Sequence, residues 1–225
     1  YRGHRVTWNL VQAAVDTAAA RIAKSRTRVR ILTFGGVWKQ QRQAEMLTRW
    51  LDGLYHEQRY YDDTAEPGFM DAAIFDGGIP KIIGTRDGIQ LERVLPFELL
   101  VDKSEGMSAE GRCGRPRNAY QVAVLPRDAV EEAYGTSEEL RETIRTADNA
   151  PDSEIRGDVI QVIEGWHVTP KGDGRRIVAV SSGMLADEPW PYRRLPFAKR
   201  FVYGSLPAGY WGQGMVARLV PIQLE

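Results

Sequence analysis

Apolar residues in the first third of the chain recur at steps of three and four, which is the spacing of one face of an α-helix. The pattern predicts helices over residues 7–24 and 37–60 and a short helix over 67–75. The apolar stripe of the second predicted helix comprises Trp38, Leu47, Trp50, Leu51, Leu54 and Tyr55. A tryptophan-rich stripe is more often core than a stacking platform for bases, so we expect these side chains to be buried.

A basic run covers residues 24–30, between the first two predicted helices. Cations near the C-terminus of a helix offset the helix dipole, which favours interpreting the run as a solvated helix end. A strip that contacts phosphate groups is the alternative interpretation.

From residue 79 onward, segments with strand propensity replace much of the helical spacing. Arg86-Asp87-Gly88 predicts a hairpin turn, because Asp-Gly accepts the positive φ of a tight turn. The predicted strands cover residues 79–83, 89–94, 119–125, 158–168, 176–182 and 201–203, and the predicted helices cover 128–134, 137–146 and 215–225. Residues 183–196 contain three prolines and are predicted to be irregular. Together these elements predict an α+β fold in which helices pack with short antiparallel sheets.

Composition places the chain among ordinary globular proteins. Of its 225 residues, 43% are apolar and 27% are charged, which excludes a disordered chain, a collagen-like chain and a coiled-coil rod. The 30 Lys and Arg residues balance 30 Asp and Glu, so nothing in the net charge supports a DNA-coating protein, although a local basic face stays compatible with it. No apolar run approaches the ~20 residues of a membrane-spanning helix. Both ends look cut, and we expect the chain to be part of something longer.

The sequence contains no pattern that predicts an active site. His4, His56 and His167 have no metal-ligand spacing with another histidine or with the single cysteine, Cys113. Neither a Gly-x-Ser-x-Gly elbow nor a phosphate-binding Walker A loop occurs. Residues 212–214 (GQG) form half of a dinucleotide fingerprint, which we interpret as a hinge between a loop and a helix. We therefore predict no catalytic residues, no metal ligands and no cofactor.

Several segments, taken in order, resemble portal proteins of tailed bacteriophages. Residues 9–17 (NLVQAAVDT) with 22–26 (IAKSR) are similar to an opening helix of that family, and residues 71–78 (DAAIFDGG) to its next helix and turn. The later segments that resemble the family are 92–102 (ERVLPFELLVD), 114–117 (GRPR), 195–197 (LPF), 209–216 (GYWGQGMV) and 219–223 (LVPIQ). Each motif alone is weak, and the ordered set is more specific.

The resemblance implies a structural protein and not an enzyme. Residues 1–205 correspond to a portal wing-like region that is helical over 1–78, mixed over 79–150 and β-rich over 151–205. Residues 206–225 correspond to a loop and to the start of a long helix that leads toward the stem. The implied assembly is a homo-oligomeric ring, usually of twelve subunits, at one vertex of the capsid.

The implied partners are those of a portal in the virion, which assembles in the host cytoplasm. Viral double-stranded DNA passes through the ring during packaging and ejection, and the major capsid protein, the terminase and head–tail adaptors dock on it. A neutral chain fits a conduit, because tight binding of phosphates would hinder translocation. Exposed aromatics would suit contacts between subunits, although packing within one subunit explains them equally well: Trp190, Tyr192, Tyr210 and Trp211.

Two other interpretations stay open at this point. The chain could be another head–tail joining or tail structural protein, which would assemble without continuing into a stem helix. It could also be a metal-dependent nuclease that uses Asp62, Asp63 or Glu66 with a divalent ion, although carboxylates adjacent in sequence more often decorate a solvated face.

Overall fold

The structure is a computed structural model that describes residues 9–26, 28–75, 77–85, 88–102, 105, 116–150, 157–198 and 210–224. The chain divides into two compact units. The first unit comprises residues 1–96, 197–205 and 212–225, and the second unit comprises residues 97–196 and 206–211.

The described residues form six α-helices, one π-helical segment and seven strands, which confirms the predicted α+β fold. Within residues 1–96 of the first unit, the elements in chain order are α1 (Leu10–Ala23), α2 (Trp38–Glu57), the π-helical segment (Tyr61–Ala65), α3 (Glu66–Ile74), β1 (Ile79–Thr85) and β2 (Gly88–Val94). The elements that follow are β3 (Leu99–Val101), β4 (Asn118–Pro126), α4 (Arg127–Tyr134), α5 (Glu138–Thr146), β5 (Val159–His167), β6 (Gly174–Val180), β7 (Gly183–Trp190) and α6 (Met215–Leu224).

Helices α1, α3 and α6 form the small core of the first unit. Val15, Ala73 and Met215 are buried where the three helices meet. Asn9 caps α1, since its side-chain oxygen accepts a hydrogen bond of 2.9 Å from the amide of Gln12. The side chain of Gln223 on α6 accepts a further bond from the amide of Leu10, which joins the last helix to the first.

The β1–β2 hairpin is joined to the helices by charged side chains. Asp71 of α3 is 2% exposed, and Arg93 of β2 donates two hydrogen bonds to its carboxylate, at 2.6 and 2.7 Å. Lys81 of β1 is also buried, and its ammonium lies 3.9 Å from the carboxylate of Glu92, its cross-strand partner. Gln58, just after α2, donates to the carbonyl of Ile89 and accepts from the amide of Leu91, so β2 is bonded to the end of α2 as well as to α3.

Gly214 permits a close approach between α6 and α3. A Cβ at this position would lie 2.6 Å from the carbonyl oxygen of Ile74 and 3.0 Å from that of Ala73. Residues 212–214 therefore precede a helix, as predicted, and the second glycine serves helix packing.

The second unit is an antiparallel five-stranded sheet in the order β3-β4-β5-β6-β7. Helices α4 and α5 cover one face of this sheet. The core between them contains Val130, Ile144, Ala147, Ile160, Val162, Val178, Val180 and Leu185. Ser137 caps α5 through a hydrogen bond from the amide of Leu140.

The prediction that residues 183–196 are irregular was wrong for their first half. Residues Gly183–Trp190 form β7, which pairs with β6 around a bulge between Val178 and Ala179. Strand β7 lies at the edge of the sheet, where Pro189 need not donate to a neighbour, and this position explains why proline is tolerated. The predicted strand over 201–203 lies outside the described residues.

Replacing Asp71 with Asn should destabilise the first unit by about 3 kcal/mol, because Arg93 loses its buried counter-ion. Part of the effect is moderated by solvent, since the Arg93 side chain is 36% exposed. Hydrogen exchange of peptides from α3 and β2 in increasing urea measures the loss. Asp63→Asn is the control, because its 3.7 Å pair with Arg59 is exposed and its loss should cost less than about 1 kcal/mol. Equal effects of the two substitutions would contradict the structural role of Asp71.

Gly214→Ala should destabilise the docking of α6 by about 1–3 kcal/mol, because the added methyl group meets the carbonyls at the end of α3. Gly53→Ala is a matched control within the same unit. Nothing lies within 4 Å of a Cβ at Gly53 inside α2, so this change should stabilise the helix by about 0.5–1 kcal/mol. Thermal unfolding followed by circular dichroism measures both shifts, and the two should have opposite signs.

Candidate interaction surface

Helix α2 lies at the surface and buries only a narrow line of its residues. Ala44 is buried, and Thr48, Leu51 and Tyr55 follow it at helical spacing with partial burial. The amide of Ile31 donates a hydrogen bond of 3.1 Å to the Thr48 hydroxyl, so the segment before α2 runs back along this inner line.

The prediction that the α2 apolar stripe is core was wrong for half of its residues. Trp38 is 71% exposed, and Leu47 and Trp50 are each 49% exposed, whereas Leu51, Leu54 and Tyr55 are partly buried. The apolar stripe is wider than the line of contact, so its outer half faces solvent.

The exposed half of α2 combines aromatic and cationic side chains. We call it the basic face of α2, and it comprises Trp38, Lys39, Arg42, Met46, Arg49 and Trp50. The Arg42 guanidinium lies over the Trp38 ring, 5.4 Å from its centroid. Within the part of the chain that the structure describes, no carboxylate forms an ion pair with Lys39, Arg42 or Arg49.

Exposed apolar side chains also precede α2. They are Leu32, Phe34 and Val37, and Phe34 is fully exposed. Surfaces of this kind mark sites of interaction with other molecules.

Helices α4 and α5 of the second unit present an acidic surface. We define it by Asp128, Glu132, Glu139 and Glu142, which are exposed and form no ion pair with any described residue. Asp128 and Glu132 lie one turn apart on α4, and Glu139 and Glu142 do so on α5, so each pair shares one side of its helix. Neighbouring carboxylates are satisfied internally, since Arg145 lies 3.3 Å from Glu131 and 3.5 Å from Glu138.

The sheet of the second unit is apolar on its outer face as well. The face opposite α4 and α5 exposes Leu100, Tyr120, Val124, Ile163, Ile177 and Met184. A sheet with one solvated face normally alternates apolar and polar residues. In this sheet, apolar residues also occupy much of the outer face, beside the ion pair of Arg175 with Asp187.

A cavity of about 460 Å³ lies beside the C-terminal end of α2. Its lining is mixed in charge and contains Arg26, Arg28, Asp52, Tyr55, His56, Arg59, Tyr61 and Asp62. Arg26 from the predicted basic run pairs with Asp62 at 3.0 Å and lies over the Tyr61 ring. Burial, followed by the charges of Tyr61 and Asp52, raises the pKa of Tyr55. The basic run thus contributes one wall of a surface cavity.

Of the residues considered for chemistry, His56 and Asp62 both line this cavity. Asp62 and Asp63 face arginines, and no group of three His, Cys, Asp or Glu in the described ranges could hold a metal ion. His167 is exposed, and its Nδ1 lies 2.6 Å from the Asn118 side-chain oxygen. His4 and Cys113 lie outside the described residues.

The aromatic residues considered for interfaces pack mainly against each other. Trp190 and Tyr192 make an edge-to-face pair with centroids 4.9 Å apart, and the Trp190 indole donates to the carbonyl of Arg194. Tyr210 is buried and makes a similar pair with Trp211. Of these four residues, Tyr192 is the exposed one.

Charged side chains of the sheet and the Tyr134 hydroxyl of α4 form a network of contacts on the face of the sheet that α4 covers. Arg176 contacts Glu188 at 2.9 Å, Glu164 at 3.4 Å and the Tyr134 hydroxyl at 3.2 Å. Burial, and next the charge of Glu164, raises the pKa of Tyr134 above its ordinary value. The network is structural, since its members are directed at one another.

No family model matches this chain, and no curated protein matches it. Within the described residues, every helix is too short or too polar to span a lipid bilayer. The observations that bear on function are therefore the surfaces and segments of the chain itself.

Above pH 10 the second unit should lose stability in part through Tyr134. Its pKa is raised in the folded state, so the stabilisation is complete below the ordinary tyrosine pKa and falls as the pH rises past it. Tyr134→Phe should remove this component, whose steepest slope for a single group is about 1.4 kcal/mol per pH unit. Urea unfolding between about pH 8 and 11 measures it, with Tyr192→Phe as the exposed control. An unchanged alkaline slope in Tyr134→Phe would contradict the assignment.

Proposed function

We propose that this chain is the wing-like part of a bacteriophage portal protein, a subunit of the ring through which viral DNA enters and leaves the capsid. The observation that carries the proposal is the ordered set of segments that resemble the family. Three of those segments lie at junctions of the fold. Residues 71–78 connect α3 to β1, residues 92–102 connect β2 to β3 across the boundary of the two units, and residues 212–216 begin α6.

The surfaces of the chain support a role in assembly. A ring subunit needs two different surfaces, because one side of each copy meets the other side of the next. The described residues expose a basic and aromatic face on α2, an acidic surface on α4 and α5, and an apolar sheet face. These surfaces are chemically distinct from one another, as contacts between unlike faces require.

The charge of the chain suits a conduit. With 30 cationic and 30 anionic residues, the subunit has no net attraction for DNA phosphates. Each phosphate that a protein neutralises adds salt-dependent affinity, which would slow the passage of DNA. A role at the portal vertex of the virion, with terminase, capsid protein and head–tail adaptors as partners, follows from the same proposal.

The alternatives differ in how well the described residues support them. A different head–tail joining protein would use the same kinds of surface, and only its assembly distinguishes it. The nuclease interpretation gains no support, because Asp62 and Asp63 face Arg26 and Arg59 across 3.0 and 3.7 Å.

Electron microscopy of the full-length gene product, purified without DNA, tests the proposal. We expect ring-shaped particles with an open axial channel, because a portal assembles by contacts between its own subunits. The rotational symmetry then gives the number of subunits. A uniform monomer at micromolar concentration would overturn the portal proposal.

A further inference from the structure

Among the residues that the structure describes, the cations of α2 have no partner of opposite charge. Lys39, Arg42 and Arg49 are exposed on one side of the helix, and no described residue forms an ion pair with them. Eight Lys and Arg occur between residues 21 and 50, against one Glu, Glu45, and one Asp lies just beyond. This region therefore repels like charges and attracts a partner that is acidic.

The apolar members of the same face indicate what kind of acidic partner fits. Trp38, Met46 and Trp50 share this face with the cations, and Leu32 and Phe34 are exposed in the segment that precedes the helix. The phosphate backbone of a DNA duplex offers polar contacts, which would leave such a surface uncovered. Tryptophan, methionine and arginine are instead the residue types that are enriched at the centres of protein interfaces.

The chain itself carries a surface of complementary charge. Asp128, Glu132, Glu139 and Glu142 are exposed without ion pairs among the described residues. The complementarity extends to whole units. The first unit has 17 Lys and Arg against 12 Asp and Glu, a charge of +5, and the second has 13 against 18, a charge of −5.

We propose that the basic face of α2 binds the acidic surface of α4 and α5 on a second copy of this chain. The further statement that this contact joins neighbouring subunits of a ring rests on the proposed portal function. The two surfaces differ, so each copy can contact one neighbour through α2 and another through α4 and α5. Cations and carboxylates orient the contact, and the tryptophans contribute buried apolar area.

Charge reversal on each surface separately, followed by mixing, tests this contact. Arg42→Glu with Arg49→Glu makes the α2 variant. Glu132→Arg with Glu142→Arg makes the acidic-surface variant. These two glutamates form no ion pair with any described residue and lie away from helix N-termini. Lys171→Glu with Arg193→Glu is the control. It lowers the net charge by as much as the α2 variant does, and both residues lie outside the two surfaces.

Sedimentation at about 100 µM protein and about 0.01 M ionic strength, where charges interact over about 30 Å, should show the parent and the control self-associating. Each reversed variant alone should bind itself at least about 100-fold more weakly. An equimolar mixture of the two reversed variants should associate as far as the parent does, with the two variants alternating, because their unchanged surfaces are complementary and their reversed surfaces are again opposite in charge. A chain that carries all four reversals should self-associate like the parent, and circular dichroism verifies that every variant is folded.

Two kinds of result would overturn the proposal. The first kind concerns association. The proposal fails if the parent stays monomeric, if the reversed variants alone associate as strongly as the parent, or if their mixture fails to associate. The other is loss of duplex DNA binding in the α2 variant with unchanged self-association, which would assign the face to nucleic acid. Rings of the full-length protein that persist with both reversals would refute this contact and leave the portal function standing.

Discussion

The buried carboxylate of Asp71 is the constraint around which the first unit is arranged. An unpaired charge in this position would cost several kcal/mol, so β2 must lie where Arg93 reaches α3. The two hydrogen bonds fix the orientation of the guanidinium as well as its distance. Because the apolar core here is small, the pair of Asp71 with Arg93 specifies how the hairpin meets α3, and the pair of Lys81 with Glu92 joins the two strands of the hairpin.

The second unit is specified by a different interaction. Its sheet buries a continuous apolar layer against α4 and α5, and Ile144, Ile160 and Val178 are fully inaccessible there. Beside this layer, Arg176 forms ion pairs with Glu164 and Glu188. The apolar outer face then gives the same sheet a second surface with a strong tendency to be covered.

Much of this architecture could be predicted from the sequence because it depends on local signals. Helical periodicity located α1 to α5 approximately, and Asp-Gly located the β1–β2 hairpin. Strand β7 was missed, because proline counts against a strand unless its edge position is known. Periodicity also showed which residues of α2 are apolar without showing whether a neighbour covers them, so Trp38 and Trp50 were misassigned to a core. The pairing of Asp71 with Arg93 joins residues 22 positions apart, and no local pattern reveals it.

Net charge was the most misleading global quantity, because zero is the sum of two opposite halves. Residues 1–96 contain 14 Lys and Arg against 11 Asp and Glu, a charge of +3, and this charge rises to +5 when residues 197–205 and 212–225 are counted with them in the first unit. A neutral total keeps the long-range attraction for DNA low, since distant phosphates respond to the sum of the charges. A neighbouring protein at contact distance responds to the local charge within a Debye length of about 8–10 Å. In the proposed ring, separated charges of this kind would let each subunit associate strongly with other copies of the chain while it binds DNA weakly.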